Sequence, residues 1–223
     1  SLPDIGYTLA MGRRALPVRG YVVARDVADA RARLAELSAQ APVASSVSAV
    51  FLFPGQGSQA VGMGRALAEA FPAARLVLEE VDDALGQKLG RLMAEGPEAE
   101  LTLTENAQPA LMAVSMAALR VLTSEGGFSL ADKAALVAGH SLGEYSALAA
   151  AGALSLSDAA RLLKRRGRAM QRAVPVVEGA RAALLGLDLE AAEAIGAAAS
   201  EAGPKYEVVS VANDNAPGQV VLS

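Results

Sequence analysis

The chain lacks cysteine and tryptophan, has a single histidine, and only 4% of its 223 residues are aromatic. Without cysteine it can form no disulfide, thiol nucleophile or thiolate metal site. One histidine, His140, excludes a multi-histidine metal site within the chain and leaves one candidate for a histidine base. Because 52% of the residues are hydrophobic but few are aromatic, we expect a core of alanine, leucine and valine.

Excess charge and long apolar runs are lacking as well. The formal net charge is −4, which argues against nucleic acid or an anionic membrane as a partner. No apolar run approaches the roughly 20 residues that a membrane-spanning helix needs. Residues 1–4 do not resemble a signal peptide. We therefore expect a cytoplasmic protein with neither a nucleic-acid nor a membrane partner.

The apolar pattern changes twice along the chain and predicts three segments, 1–45, 46–174 and 175–223. The first predicts helix, strand, helix and linker; the second alternates strands with helices; the third predicts a β-α-β-β unit. This order favours an α/β layered domain with a mostly parallel sheet, followed by a small second subdomain. The predicted strands are 19–24, 50–53, 134–138, 182–186, 207–212 and 219–222; the main predicted helices lie within 26–38, 62–94, 108–122, 156–173 and 189–202.

Residues 139–143 read Gly-His-Ser-Leu-Gly, a G-x-S-x-G pattern between a predicted strand and a predicted helix. Glycines permit a tight strand-to-helix turn, which exposes the Ser141 hydroxyl, and the helix behind it offers the N–H of Leu142 to an oxyanion. We interpret Ser141 as a nucleophile; the alternative is an ordinary glycine-rich turn. Since neighbouring side chains diverge, we expect His140 to be a packed or hydrogen-bonded turn residue rather than the base.

A second glycine-rich turn, residues 55–60 (Gly-Gln-Gly-Ser-Gln-Ala), follows the apolar run 50–53, which is typical of a strand buried on both faces. One reading is a dinucleotide-binding turn, but its acidic partner would then fall at Glu79 or Glu80, inside a predicted helix. The other reading is a loop that brings the amide of Gln56 to the same end of the sheet as Ser141, as a second oxyanion donor.

The predicted helix 156–173 carries arginines on two faces. Four of them share one face, for which solvent exposure is the expected role: Arg161, Arg165, Arg168 and Arg172. Arg166 instead lies at the centre of an apolar stripe, where an unpaired guanidinium would be costly. The stripe consists of Ala159, Leu162, Leu163, Ala169, Met170 and Ala173. Arg166 then forms either a structural ion pair or a pocket that binds a carboxylate.

Several motifs, in order, closely resemble malonyl-CoA:acyl carrier protein transacylases and the acyltransferase domains of polyketide synthases. The resemblance covers residues 49 to 223. Residues 1–40 more loosely resemble the linker that precedes acyltransferase domains in modular synthases. The motifs are 50–59 (Val-Phe-Leu-Phe-Pro-Gly-Gln-Gly-Ser-Gln), 108–110 (Gln-Pro-Ala), 139–147 (Gly-His-Ser-Leu-Gly-Glu-Tyr-Ser-Ala), 165–167 (Arg-Arg-Gly) and 213–221 (Asn-Asp-Asn-Ala-Pro-Gly-Gln-Val-Val).

The resemblance implies a hydrolase-like α/β domain with a small ferredoxin-like subdomain, and a ping-pong transfer of a malonyl group from CoA to acyl carrier protein. Ser141 would carry the acyl group, Gln56 and the N–H of Leu142 would hold the oxyanion, and Arg166 would bind the malonyl carboxylate. The phosphopantetheine thiol belongs to the carrier protein, so the resemblance implies no bound cofactor and no metal.

Two departures from the family accompany this resemblance. The family's catalytic histidine lies beyond the small subdomain, so we expect the full-length protein to continue past Ser223 and this chain alone to be weakly active or inactive. Gly179-Ala180-Arg181 replaces the usual Gly-Ala-Met.

Two functions other than acyl transfer remain as alternatives. One is a non-catalytic scaffold that docks carrier protein through the arginine face, and the other is an esterase that shares the serine turn.

Overall fold

The computed structural model describes residues 1–14, 16, 20–37, 49–173, 181–203 and 208–223. Two sheets and a set of helices form the described part of the chain. The strands are β1 (Ala49–Phe53), β2 (Ala134–Gly139), β3 (Ala182–Leu185), β4 (Val211–Ala216) and β5 (Gln219–Leu222). The helices are α1 (Leu2–Met11), α2 (Val27–Glu36), α3 (Arg65–Ala70), α4 (Pro72–Leu85), α5 (Leu89–Glu95), α6 (Glu98–Thr102), α7 (Thr104–Ser124), α8 (Leu130–Lys133), α9 (Gly143–Ala150), α10 (Leu156–Ala173) and α11 (Leu189–Ala202).

The first sheet pairs β1 with β2 in parallel, with Phe51 opposite Val137 and Phe53 opposite Gly139. Parallel pairing puts the carboxyl ends of both strands at one edge, so the loops after Phe53 and Gly139 meet there. The second sheet is antiparallel with the order β3-β5-β4, and α11 packs against it through Ala192. The predicted mixed α/β architecture with a parallel sheet is therefore confirmed.

Three helices, α4, α7 and α10, form the main core. Alanines alternate there with larger valine, leucine and methionine side chains, and the small residues let the helix backbones approach closely. No helix among the described residues is both long enough and apolar enough to cross a membrane. The fully buried residues of these helices include Ala74, Val77, Val81, Ala110, Met112, Ala113, Ala159, Ala160 and Leu163.

Two strand predictions are wrong in detail. Residues 20–24, inside the predicted strand 19–24, form no strand, because no described strand pairs with them. Residues 50–53 do form β1, but they are not buried on both faces: Val50 is 52% exposed and Leu52 is 75% exposed. Among the described strands only β2 pairs with β1, and the described helices cover one face of this pair.

Two element boundaries also differ from the sequence prediction. Helix α7 begins at Thr104 rather than near residue 108, so Pro109 lies inside the helix and not in its first turn. The strand predicted over 207–212 is displaced to Val211–Ala216, while residue 207 lies outside the described residues. The turn between β4 and β5 shrinks to Pro217 and Gly218, whose φ is +78°, because antiparallel pairing of Ala216 with Gln219 demands a tight hairpin.

The other predicted elements are present: helices within 26–38, 62–94, 156–173 and 189–202, and strands within 134–138, 182–186 and 219–222. The N-cap predicted at Ser155 is present, since its hydroxyl accepts the N–H of Asp158 at 3.0 Å. The linker predicted over 41–48 and the departure noted at Gly179 and Ala180 lie outside the described residues.

Candidate active site

Ser141 occupies a strained turn between β2 and α9. Its φ is +55°, and no other non-glycine residue among those described has a positive φ. Holding an L-residue in the left-handed region costs on the order of 1–2 kcal/mol, and such strain clusters at functional sites. The exposed hydroxyl and the turn geometry match the nucleophile position predicted from the G-x-S-x-G pattern.

The two glycines of the pattern are required by close packing. A Cβ at Gly139 would collide with the backbone of Gly143, and a Cβ at Gly143 would collide with the carbonyl of Phe53. The turn is further tied to β1 by a hydrogen bond from the N–H of His140 to the Phe53 carbonyl at 3.1 Å. Strand β1 therefore fixes the position of Ser141 relative to the loop that follows β1.

Arg166 projects from α10 to the serine. Its Nη2 donates to Ser141 Oγ at 3.0 Å and its Nη1 donates to Gln108 Oε1 at 2.7 Å. Gln108 is fully buried in α7 and its own Nε2 donates to Met170 Sδ at 3.3 Å. The guanidinium is thus oriented by a fixed amide, and no described carboxylate lies within 4.0 Å of it, which disfavours the structural ion pair.

The surroundings of Arg166 differ from the predicted apolar stripe. Leu162 is 42% exposed and Ala169 is exposed, whereas the buried face of α10 also includes Lys164 and Gly167. The buried face of α10 is rotated relative to the predicted stripe, because the helix packs on both α4 and α7. Lys164 lies in the contact between α10 and α7. Arg166 consequently lies at the border of the buried face, half-buried and able to reach Ser141.

The two oxyanion candidates lie at the same end of the parallel sheet. Leu142 is buried beside the serine, and its N–H donates no hydrogen bond to any residue that the structure describes. Gln56 is exposed on the loop after β1, and its Nε2 donates to Thr104 Oγ1 at 3.4 Å. This loop lies against the serine turn, since a Cβ on Gly55 would be only 2.5 Å from His140 Nδ1.

His140 is a hydrogen-bonded turn residue, as predicted. Its Nε2 lies 3.0 Å from Oδ1 of Asn215 on β4. This contact links the antiparallel sheet to the serine turn and directs the imidazole away from a role as base. The sequence reasoning placed Asn215 in a turn and gave it no role.

A polar cluster joins the N-terminus of α7 to α10, and the sequence reasoning missed it. Glu105 Oε2 pairs with Lys164 Nζ and with Arg168 Nε, both at 2.9 Å. Lys164 Nζ also donates to Asn106 Oδ1 at 2.7 Å, and its side chain is only 11% exposed. These hydrogen bonds, from Lys164 and then Arg168, lower the pKa of Glu105. The available signal for this cluster was Lys164, a charged residue that directly follows Leu163 of the predicted apolar stripe in the sequence.

The predicted arginine face is exposed and lines an open cavity of about 440 Å³ beside Ala84 and Leu85 at the end of α4. Two of its members are paired: Arg161 with Asp158 at 3.2 Å, and Arg168 with Glu105. Within the described ranges, no three His, Cys, Asp or Glu side chains are grouped as metal ligands would be.

A serine in a strained turn at the end of a parallel strand, with an arginine held against it, is an arrangement typical of α/β proteins that form acyl-serine esters. Comparison with known proteins makes the assignment specific: residues 50–223 match the acyl transferase domain family. The chain belongs to this family.

Several curated relatives are named malonyl CoA-acyl carrier protein transacylases. It is 50% identical over 173 residues to the malonyl CoA-acyl carrier protein transacylase of Bacillus subtilis, which covers 78% of this chain and 52% of that protein. The solved acyl-carrier-protein S-malonyltransferase of Bartonella henselae is 57% identical, with a TM-score of 0.71 over 79% of this chain and 55% of that one.

A third comparison involves a partner. The malonyl-transacylase solved in complex with a type II polyketide synthase acyl carrier protein is 44% identical, with a TM-score of 0.68, over 78% of this chain and 53% of that one. The chain thus spans about half the length of the relatives that it matches, and its fold is that of the malonyltransferases.

Proposed function

We propose that the protein transfers a malonyl group from malonyl-CoA to the phosphopantetheine thiol of acyl carrier protein. Ser141 Oγ attacks the thioester carbonyl, the C–S bond breaks, and CoA leaves as the thiol with the serine proton. The carrier thiol then attacks the malonyl ester and Ser141 recovers its hydroxyl proton. The printed names of the relatives, and the complex of one relative with its carrier protein, support these substrates.

The observation that carries the proposal is the contact between Arg166 and Ser141. Arg166 Nη2 lies only 3.0 Å from Ser141 Oγ. If a malonyl group is esterified to that oxygen, its free carboxylate, one methylene beyond the ester carbonyl, is within reach of the guanidinium. Arginine's planar fork suits bidentate binding of a carboxylate, and Gln108 already holds one of its nitrogens. An acetyl group has no free carboxylate to bind this guanidinium, so the geometry favours malonyl over acetyl as the transferred group.

The N–H of Leu142 and the amide of Gln56 are the proposed oxyanion donors. The tetrahedral intermediate carries its charge on the former carbonyl oxygen, and donors fixed before the reaction stabilise that charge without reorganisation. The Leu142 N–H is held by the strained turn, and the Gln56 amide is held by Thr104. His140 is not the proton acceptor in this scheme, because its Nε2 contacts Asn215.

The finer structural and cellular assignments are part of the same proposal. The β3-α11-β4-β5 order supports a ferredoxin-like subdomain over residues 175–223, and the serine turn at the end of a parallel strand supports a hydrolase-like domain over 46–174. Residues 1–45 would be the linker segment. We propose further that transfer needs no cofactor or metal and takes place in the cytoplasm.

Intact mass spectrometry after incubation with malonyl-CoA or acetyl-CoA tests the proposal. Even at the weak activity expected of this chain alone, we expect a malonyl adduct on the wild-type chain that is absent in Ser141→Ala and strongly reduced in Arg166→Ala. Arg165→Ala is the matched control, because Arg165 is exposed, points about 100° away from Arg166 around the same helix, and should leave labelling unchanged. Labelling that persists in Ser141→Ala would refute the nucleophile.

The same measurement separates the alternatives. Equal labelling by the two thioesters, unaffected by Arg166→Ala, would support an esterase instead. A folded wild-type chain that acquires no adduct, but still binds acyl carrier protein in a pull-down, would support the non-catalytic scaffold.

A further inference from the structure

The first turns of α7 contact both groups that the proposed function uses to bind its substrate. Thr104 Oγ1 accepts from the Gln56 amide at 3.4 Å, and Gln108 Oε1 accepts from the Arg166 guanidinium at 2.7 Å. Glu105 lies between these two residues and binds α10. We propose that Glu105 is a positioning residue that sets the orientation of Arg166, and so the preference for acyl groups with a free carboxylate; this inference rests on the function proposed above.

Glu105 holds α10 at points on both sides of Arg166. Its Oε2 accepts from Lys164 Nζ and Arg168 Nε, each at 2.9 Å, and its backbone N–H donates to Gln171 Oε1 at 2.7 Å. These three partners span about two turns of the helix, spaced by four and three residues, and therefore lie on one face. Because these contacts lie on both sides of Arg166 along the sequence, they restrict both rotation of α10 about its axis and its sliding along α7.

The two helices approach each other closely at the residue that follows Arg166. A Cβ on Gly167 would lie 2.6 Å from the Thr104 carbonyl oxygen and 2.7 Å from the Glu105 nitrogen. The helices meet there backbone to backbone, with no side chain to absorb a displacement. Rotating α10 by about 10° would move a side-chain atom about 6 Å from its axis by about 1 Å. A displacement of that size can cost on the order of 100-fold in rate at a reacting centre.

The charge of Glu105 is needed as well as its shape. Among the described residues it is the one carboxylate within 4.0 Å of Lys164, whose side chain is 11% exposed. Without that charge, Lys164 would keep Asn106 Oδ1 at 2.7 Å but lose its counter-ion. Because a buried unpaired ammonium is costly, the side chain would turn toward water and the helix would shift with it.

The discriminating measurement is a ratio of rates. Arg166 contacts the carboxylate of malonyl but has no partner on acetyl, so displacing it should slow malonyl labelling selectively. We expect Glu105→Gln, which keeps the backbone contact with Gln171, to lower the malonyl-to-acetyl ratio of labelling rates about tenfold. Glu105→Asp, which retains the charge on a shorter side chain, should recover part of the ratio.

Two controls separate positioning from stability. Glu95→Gln removes an exposed carboxylate that pairs with Arg91 at 2.8 Å in α5, and should leave the ratio unchanged. Leu89→Ala, at a buried core site in α5, should lower stability without changing which thioester is preferred, so both labelling rates fall together. If Glu105 were merely structural, its variants would behave like Leu89→Ala, and that result would overturn the proposal.

A third variant keeps the test decisive if Glu105→Gln does not fold. Arg168→Gln removes one of the two cations from Glu105 at a side chain that is 60% exposed, and should lower the ratio in the same direction by a smaller factor. An unchanged ratio in folded Arg168→Gln and Glu105→Asp would then overturn the inference. Equal labelling of the wild-type chain by the two thioesters would instead overturn the proposed function, and the role of Glu105 with it.

Discussion

Substituting Gly167 with alanine tests whether the close approach of α7 and α10 holds the site together. On helix propensity alone, Gly167→Ala should stabilise α10 by about 1 kcal/mol. The added Cβ would, however, lie 2.6 Å from the Thr104 carbonyl oxygen, against the 3.4–4 Å of ordinary contact, so the helices must separate by about 1 Å. Overpacking of this kind costs up to about 3 kcal/mol, which leaves a net loss of about 2 kcal/mol.

Thermal unfolding measures this loss directly. For a chain of this size about 2 kcal/mol corresponds to a fall in Tm of roughly 4–8 °C. The matched control is Gly90→Ala in α5, where the nearest atom to a new Cβ is Asp82 Oδ1 at 3.6 Å, an ordinary contact. That variant should be neutral or slightly stabilised. If Gly167→Ala unfolds at the same temperature as Gly90→Ala, the helix contact does not constrain α10 and the reasoning is refuted.

Three further predictions concern strain and charge. Ser141→Gly should be about 1 kcal/mol more stable than Ser141→Ala, and so unfold at a higher temperature. The reason is that glycine relieves the strain of the positive φ, while both variants lose the hydroxyl. Equal Tm values for the two variants would argue against strain. Burial raises the pKa of Asp82, so its ionisation opposes folding as pH rises; Asp82→Asn, which can still accept the Gly90 N–H, should be more stable than wild type at pH 7 in urea unfolding, and a loss would contradict this. Lys164 and Arg168 lower the pKa of Glu105, so its stabilising contribution is present above about pH 4.5 and is lost as pH falls through the lowered value. Glu105→Gln should therefore lose less stability than wild type between pH 7 and pH 3, and identical acid profiles would count against the cluster.

Much of the candidate site could be predicted because its signals are local. The G-x-S-x-G turn needs glycines where neighbouring backbones touch, and its strand and helix are adjacent in sequence, so Ser141 and Leu142 were found together. The alternatives for Arg166 could not be resolved on the helical wheel, because the wheel does not show which helices α10 contacts. The predicted stripe placed Leu162 and Ala169 in the core, whereas packing on two helices buried Lys164 and Gly167 instead.

The sequence by itself determined the order of most elements, the position of the serine turn, and the motifs that identify the family. These depend on apolar periodicity, on glycines and on short-range turns, all of which involve neighbours along the chain. Only the tertiary structure decided that Arg166 contacts Ser141 and Gln108, and that Glu105 binds α10 across about 60 residues of sequence separation. Contacts between helices depend on the angle and distance at which they pack, and no single helix records these quantities in its own sequence.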